Sequence, residues 1–378
     1  MNLDTLMRVM VSRGSSDLHL KAGAFPHIRV HGDLVPLAEY GKLGPEDPLM
    51  MAFSIMNNRQ KQKFRDTAEV DIGYGIKGLG RFRINVFQQR GSVSVAIRAI
   101  PSKILTFDDL LLPKVLERIA EEPRGLVLVT GTTGSGKSTT IASMINYINE
   151  RMTRHIITIE DPIEFLHVDR MSLVSQREVS VDAASFSAAL RSAMRQDPDV
   201  ILVGEMRDLE TIETALLAAE TGHLVFSTLH TLDAVETINR VIAVFPSHQQ
   251  RQIRLQLSQV LRAVISMRLI KRSDVAGRLP GIEVMVVTEY IRNCITEPEK
   301  TRLIRAAIAA GTSQYGMQTF DQSLYEHFKA GRITFEEALA YASNPDEFKL
   351  RVQGIYSTQE AAIEAMEQEL AGANRDRG

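Results

Sequence analysis

The stretch Gly131-Thr132-Thr133-Gly134-Ser135-Gly136-Lys137-Ser138 matches the phosphate-binding pattern G-x-x-x-x-G-K-[ST] at every defined position. Its flanks decide the fold. Leu126-Val127-Leu128-Val129-Thr130 is an unbroken apolar run, the mark of a strand buried on both faces, and Lys137 to Asn149 carries apolar residues at helical spacing. A glycine-rich loop between such a strand and such a helix aims backbone N–H groups and the helix N-terminus at one spot. An anion can be held there without a dedicated cation. Gly134 and Gly136 allow the dihedrals and the close approach that this needs. In that setting Lys137 reaches the β- and γ-phosphates, the Ser138 hydroxyl holds Mg²⁺ and Thr139 contacts the α-phosphate. A loop that merely ends a strand would not need all the defined residues, so the chain reads as binding a nucleoside triphosphate.

Beyond the loop, short apolar runs alternate with helix-length segments. His155 to Glu160, Val200 to Gly204, Leu224 to Thr228 and Gly281 to Val287 read as strands, Asp182 to Gln196 and Glu210 to Thr221 as helices. That order predicts an α/β domain with a mainly parallel sheet and helices on both faces. Ser247 to Ile270 reads as a long helix or a pair of helices, followed by helical stretches from Pro298, Met317 and Thr334. Gly372 to Gly378 reads as a charged, frayed end.

Before the loop lies a different pattern. Asp4 to Arg13 has helical spacing and stops at Gly14; Asp17 to Leu20, His27 to His31 and Leu34 to Leu37 read as strands, the last two turning at Gly32-Asp33. Met50 to Phe64 reads as one helix, and Glu69 to Tyr74, Gly80 to Gln88 and Ser92 to Ile100 as three more strands, the last two joined through Gln89-Arg90-Gly91. These predict an α+β domain with a mostly antiparallel, helix-covered sheet. Pro101-Ser102-Lys103 breaks the strand pattern, so domains of residues 1–102 and 103–378 are expected.

Composition narrows the class. The 378 residues, 44% apolar and 24% charged, are those of an ordinary globular chain able to bury a core. A net charge of −2 gives no support to nucleic acid as the main partner. The one cysteine, Cys294, excludes an internal disulfide and a cysteine-clustered zinc site. An acid at Asp4 stands where a signal peptide carries positive charge, and no apolar run approaches a membrane span, so a cytoplasmic protein is expected.

Several polar stretches bear on chemistry. Val200-Ile201-Leu202-Val203-Gly204-Glu205 is an apolar strand that delivers a carboxylate; beside this kind of loop such an acid holds Mg²⁺ directly or through water. Glu160, Asp161 and Glu164 end another expected strand, and one of them could activate the attacking water. His230 lies at the exit of Leu224 to Thr228, where it could sense a γ-phosphate; His223 lies at its entry, on the far edge. Arg81 and Arg83 share one face of a strand, and with Arg90 and Arg98 they would by themselves mean only solubility.

Taken together the chain resembles the PilT family of type IV pilus retraction ATPases, within the secretion ATPase superfamily. The resemblance is carried by Gly131 to Ser138, the acidic box Ile159 to Glu164, the stretch Val203-Gly204-Glu205-Met206-Arg207-Asp208 and the histidine box Thr221 to Thr231. Ser16-Asp17-Leu18-His19-Leu20 and Tyr315-Gly316-Met317-Gln318-Thr319-Phe320-Asp321-Gln322-Ser323-Leu324 add to it. It implies a PAS-like first domain, a RecA-like second domain, and a homohexamer that hydrolyses ATP with Mg²⁺ to power pilus retraction and twitching. It also implies Glu164 for water activation, Glu205 for the Mg²⁺ shell, and Arg81, Arg83 and Arg98 as phosphate contacts. The implied partners are an inner-membrane pilus platform protein, which would hold this cytoplasmic chain at the inner membrane, and a paralogous retraction ATPase. The family motif Ala-Ile-Arg-Asn-Leu-Ile is here Tyr290-Ile291-Arg292-Asn293-Cys294-Ile295, which keeps an accessory PilU-like motor as an alternative. Pilus-assembly or type II secretion ATPases usually carry a four-cysteine zinc element that this chain lacks. A RecA-type nucleic-acid motor fits the charge poorly, and a scaffold that binds ATP without hydrolysing it would not need both Glu164 and Glu205.

Overall fold

The computed structural model describes residues 2–30, 32–101 and 103–354; the expected frayed end at Gly372 to Gly378 and the strand residue His31 lie outside the described residues. The chain divides into two compact units, Met1–Ile104 with Pro162–His167, and Leu105–Asp161 with Val168–Gly378.

In the first unit, six strands form one antiparallel sheet: β1 (Asp17–Lys21), β2 (His27–Val30), β3 (Asp33–Pro36), β4 (Glu69–Ile76), β5 (Gly80–Gln89) and β6 (Ser92–Ile100), in the order β3-β2-β1-β6-β5-β4. Leu18, Leu20, Ile28, Ile72, Phe82, Ile84, Val95 and Ile97 alternate onto one face. They pack with Leu3, Leu6, Met7 and Met10 of α1 (Leu3–Ser12) and Met51 and Ala52 of α2 (Asp47–Ile55). The two-residue period then puts the intervening residues on the other face. There Arg83 stands opposite Arg98, Arg98 opposite Asp17, and Asp17 opposite Arg29.

The β5–β6 connection closes with Arg90 and Gly91 both at positive φ, +46° and +74°, between the paired Gln89 and Ser92. This is the two-residue hairpin turn whose twist matches that of the strands. The single helix expected over Met50 to Phe64 is instead two, α2 and α3 (Asn58–Thr67). Met56 leaves the helical region, and the Asn57 side chain accepts from the Gln60 N–H while the Gln60 side chain accepts from the Asn57 N–H. That reciprocal cap starts a new helix, and spacing alone did not weigh it.

Seven strands make the second unit's sheet: β7 (Gly125–Thr130), β8 (His155–Glu160), β9 (Leu173–Glu178), β10 (Val200–Val203), β11 (Leu224–Leu229), β12 (Leu261–Lys271) and β13 (Arg278–Val286). Their order is β13-β12-β7-β11-β10-β8-β9, and every pairing is parallel except that of β13 with β12. The helices are α4 (Val115–Ala120), α5 (Lys137–Arg151), α6 (Phe186–Ala193), α7 (Leu209–Glu220), α8 (Ala234–Ala243), α9 (Gln250–Val260), α10 (Glu289–Thr296), α11 (Ile304–Ala310), α12 (Thr312–Tyr315), α13 (Phe320–Lys329), α14 (Phe335–Tyr341) and α15 (Pro345–Val352). Strand β7 is fully buried. Leu126 and Leu128 pack towards α7, α8 and α9, while Val127 and Val129 pack towards α4 and α5.

Strand β12 corrects the expectation of helix from Ser247 to Ile270. Helix α9 ends at Val260 and runs into the strand without a glycine or proline, and Ala263, Val264, Ile265, Ser266 and Met267 are all buried. A strand covered on both faces loses the alternation that would separate it from a buried helix. Among the described residues, no helix is long and apolar enough to cross a membrane. In α10, Ile291, Cys294 and Ile295 are buried and Tyr290 is exposed.

Candidate nucleotide site

At the end of β7 the chain turns at Gly131, where φ is +140° and an added Cβ would stand 2.5 Å from both the Met267 carbonyl of β12 and the Ser135 hydroxyl. Only glycine fits there. Gly134 and Gly136 also hold positive φ, +78° and +99°. Lys137, 8% exposed, folds its ammonium back to donate to the carbonyls of Gly131 at 2.8 Å and Thr132 at 3.0 Å, closing the loop into a ring. The Ser135 hydroxyl is buried without a hydrogen-bond partner, and α5 starts at Gly136 with no side-chain cap. An orphaned buried hydroxyl, open N–H groups at a helix start and a buried ammonium, all on one loop, fit a phosphate group.

Two strands away, β10 ends in Gly204 and Glu205. The Gly204 N–H donates to the Ile159 carbonyl of β8 at 2.8 Å, and the Thr228 hydroxyl of β11 donates to the Gly204 carbonyl at 2.6 Å. A Cβ on Gly204 would lie 3.2 Å from that Ile159 oxygen, which explains why a glycine separates the strand from its acid. The Glu205 carboxylate then sits 2.7 Å from Arg207 Nε and 3.7 Å from His230 Nε2. Glu160, ending β8, accepts from the Thr158 hydroxyl at 2.6 Å and from Gln176 Nε2 at 3.3 Å.

Because β7, β8, β10 and β11 run parallel, their carboxyl ends share one edge of the sheet, the usual ligand edge of such folds. The second unit thus gathers Gly131 to Thr139, Glu205 and His230 there. His223 lies at the opposite end of β11, where its Nδ1 is 2.8 Å from the Ala218 carbonyl, and fastens the turn out of α7. The Ser138 hydroxyl and the Glu205 carboxylate are hard oxygen donors of the kind Mg²⁺ takes. Among the described residues no group of three or more histidine, cysteine, aspartate or glutamate side chains is gathered to hold a metal unaided; Mg²⁺ ordinarily completes its shell with water and substrate phosphate oxygens.

Glu164, exposed, belongs to Pro162–His167 and so to the first unit, as do Arg81, Arg83 and Arg98. Arg98 Nε donates to Asp17 Oδ1 at 2.7 Å, and Arg83 Nε stands 3.8 Å from Asp71. Burial would raise the Asp17 carboxyl, but the Ser16 hydroxyl and the Arg98 guanidinium outweigh it and hold that carboxyl below its ordinary value. Sequence reasoning gave no role to Arg207 or Thr228. The basic residue two places after Glu205 was the signal for the first; nothing in linear order marks the second, whose contact crosses from one strand to the next.

Residues 49–373 match the family described as type II/IV secretion system protein. Over 352 residues the chain is 47% identical to the type IV pilus retraction ATPase PilT of Pseudomonas aeruginosa, covering 92% of this chain and 100% of that protein. Over 353 residues it is 39% identical to the type IV pilus ATPase PilU of the same organism, covering 93% of this chain and 92% of that one. The crystal structure of the pilus retraction motor PilT with bound ADP matches with a TM-score of 0.84 at 46% identity, over 92% of this chain and 98% of that chain. The antiparallel first sheet, the mainly parallel second sheet and the phosphate loop at its edge are therefore shared with close relatives, and the chain belongs to the PilT family of type II/IV secretion system proteins.

Proposed function

We propose that this chain is a hexameric, Mg²⁺-dependent ATPase motor that powers retraction of type IV pili, and hence twitching motility. The observation that carries the reading is the convergence of the Lys137 loop, Glu205 and His230 on one sheet edge, in a chain 47% identical to a pilus retraction ATPase. Lys137 and the N–H groups of the loop bind the β- and γ-phosphates. Ser138 and Glu205 hold Mg²⁺, which when bound neutralises charge between those phosphates. Glu164 activates the attacking water, and His230 senses the γ-phosphate beside Glu205. Phosphoryl transfer needs little from a protein beyond such placement and charge stabilisation.

The domains act as residues 1–102 and 103–378, and the first brings Arg81, Arg83 and Arg98 to the nucleotide of a neighbouring subunit. Support comes from the first sheet: Arg83 and Arg98 stand directly opposite each other on one face, and although Asp71 and Asp17 stand beside them, both guanidinium side chains stay at least half exposed, within reach of an anion. The protein works in the cytoplasm, held at the inner membrane by a pilus platform protein and joined there by a paralogous ATPase. The higher identity to PilT than to PilU favours the principal motor over the accessory one. Purified protein should be a hexamer whose ATPase activity requires Mg²⁺ and ignores DNA, and a deletion strain should keep its pili and lose twitching. Loss of the pili themselves would instead make it an assembly motor.

A further inference from the structure

Glu283 lies on β13, far along the chain from every nucleotide motif, and is 5% exposed. Its Oε1 accepts from the N–H of Ala234, the first residue of α8, at 2.9 Å. Between Ala234 and His230 lie only Thr231, Leu232 and Asp233. That linker is fastened to α8 itself: Thr231 to the Thr237 hydroxyl at 2.7 Å, the Leu232 N–H to Glu236 Oε2 at 2.8 Å, and Asp233 Oδ1 to the Glu236 N–H at 2.7 Å. Linker and first helical turn are one unit, and Glu283 ties that unit to the sheet.

The tie is not there to make the helix. Asp233 already caps α8 by accepting from the Glu236 N–H, so the helix has its side-chain cap without Glu283. Nor does the tie offset the cost of burying an acid. Burial pushes the Glu283 carboxyl up to about 7; Asp233 adds to the rise, and the Ala234 N–H, Arg305 and Arg268 only partly oppose it. A buried acid that works against stability, and grips the segment carrying a site histidine, points to placement.

We infer that Glu283 is a positioning residue for the ATPase reaction: by holding the first turn of α8 against β13, it sets where the His230 ring stands beside Glu205. The inference rests on the proposed role of His230. Glu283 touches no reacting atom, so it acts through geometry alone. A shift of about an ångström at a site can lower turnover by about a hundredfold.

The experiment is steady-state ATP hydrolysis by the full chain as Glu283→Ala, Glu283→Gln, His230→Ala and the double variant Glu283→Ala/His230→Ala. Glu283→Ala should lower kcat by about ten- to a hundredfold while KM stays within about twofold. Glu283→Gln, whose amide oxygen still accepts from Ala234, should stay within about threefold of wild type, and the double variant should be no worse than the poorer single one by more than about twofold. If Glu283→Ala does not fold, Ala234→Pro removes the donor instead, at a helix position that tolerates proline, and should show the same loss in kcat. Wild-type turnover in folded Glu283→Ala or in Ala234→Pro, equal failure of the glutamine and alanine variants, or losses that multiply in the double variant would each overturn the inference. If His230→Ala itself turns over normally, the reading of His230 fails and this inference falls with it; impaired His230→Ala beside normal Glu283→Ala removes Glu283 alone.

Discussion

Glu205 Oε2 stands 2.7 Å from cationic Arg207 Nε and 3.7 Å from His230 Nε2, so its charge is balanced where it stands. Glu205→Gln keeps the shape and removes the charge. Glu164→Gln does the same to the residue proposed to draw a proton from water. Both variants should lower kcat by about 10²–10⁴-fold, the range for a positioned acid or base, while affinity for a fluorescent ATP analogue stays near wild type. Normal hydrolysis by Glu164→Gln would move the base to Glu160 or Glu205. At this scale the loop was legible because its backbone geometry demands particular residues at fixed spacing. Arg207, Thr228 and Glu283 were not, since what gives each its place is a neighbour across the sheet or beyond a turn, and spacing along the chain is silent about that.

Among the elements, β7, β8, β10 and β11 were readable as short apolar runs, and the hairpin of β5 and β6 as alternation around Arg90-Gly91. Strand β9 and strand β12 were missed for opposite reasons. β9 is a half-buried edge strand with a polar sequence, Ser175-Gln176-Arg177-Glu178 at its end, and β12 is an apolar run with no free face. Glu283 sits on the strand paired with β12, and its carboxyl makes a prediction at this scale. Its pKa of about 7 in the folded chain stands above the ordinary 4.5. A raised acid pKa means the folded form binds the proton more tightly than the unfolded form. The stability it gives is full below 4.5, falls as the pH rises, and is gone above 7. The difference is up to about 3 kcal/mol. In urea titrations, Glu283→Gln should therefore match wild type near the lower pH and exceed it at about pH 8 by an amount approaching that figure. An offset between the two that does not change with pH would contradict the burial argument.

For the whole molecule, the distribution of charge is the point. The strand ends of the second unit carry Lys137 and Arg207 together with Glu160, Asp161 and Glu205, whereas one row across the first unit's sheet carries Arg83, Arg98 and Arg29, with Asp17 between the last two. If first-unit arginines complete the site of the next subunit, two different defects should complement. A subunit with Lys137→Ala and intact arginines, mixed with one carrying Arg81→Ala, Arg83→Ala and Arg98→Ala on an intact loop, should recover part of the activity that each lacks alone. An arginine supplied this way is worth about 10³–10⁵ in rate, so even a small mixed fraction would register. Mixed hexamers, verified by mass, that stay inactive would return these arginines to an ordinary surface role. Labelling the site selectively is made easier by α10. The chain's one thiol, Cys294, lies wholly inside the protein, and burial raises its pKa despite the hydrogen bond from Tyr290, so it is a poor nucleophile as well as a hidden one. The surface is in effect free of cysteine. A single cysteine introduced at exposed Leu232, in the linker next to His230, would take up a maleimide dye alone, and would report the motion of that linker in a chain otherwise unaltered.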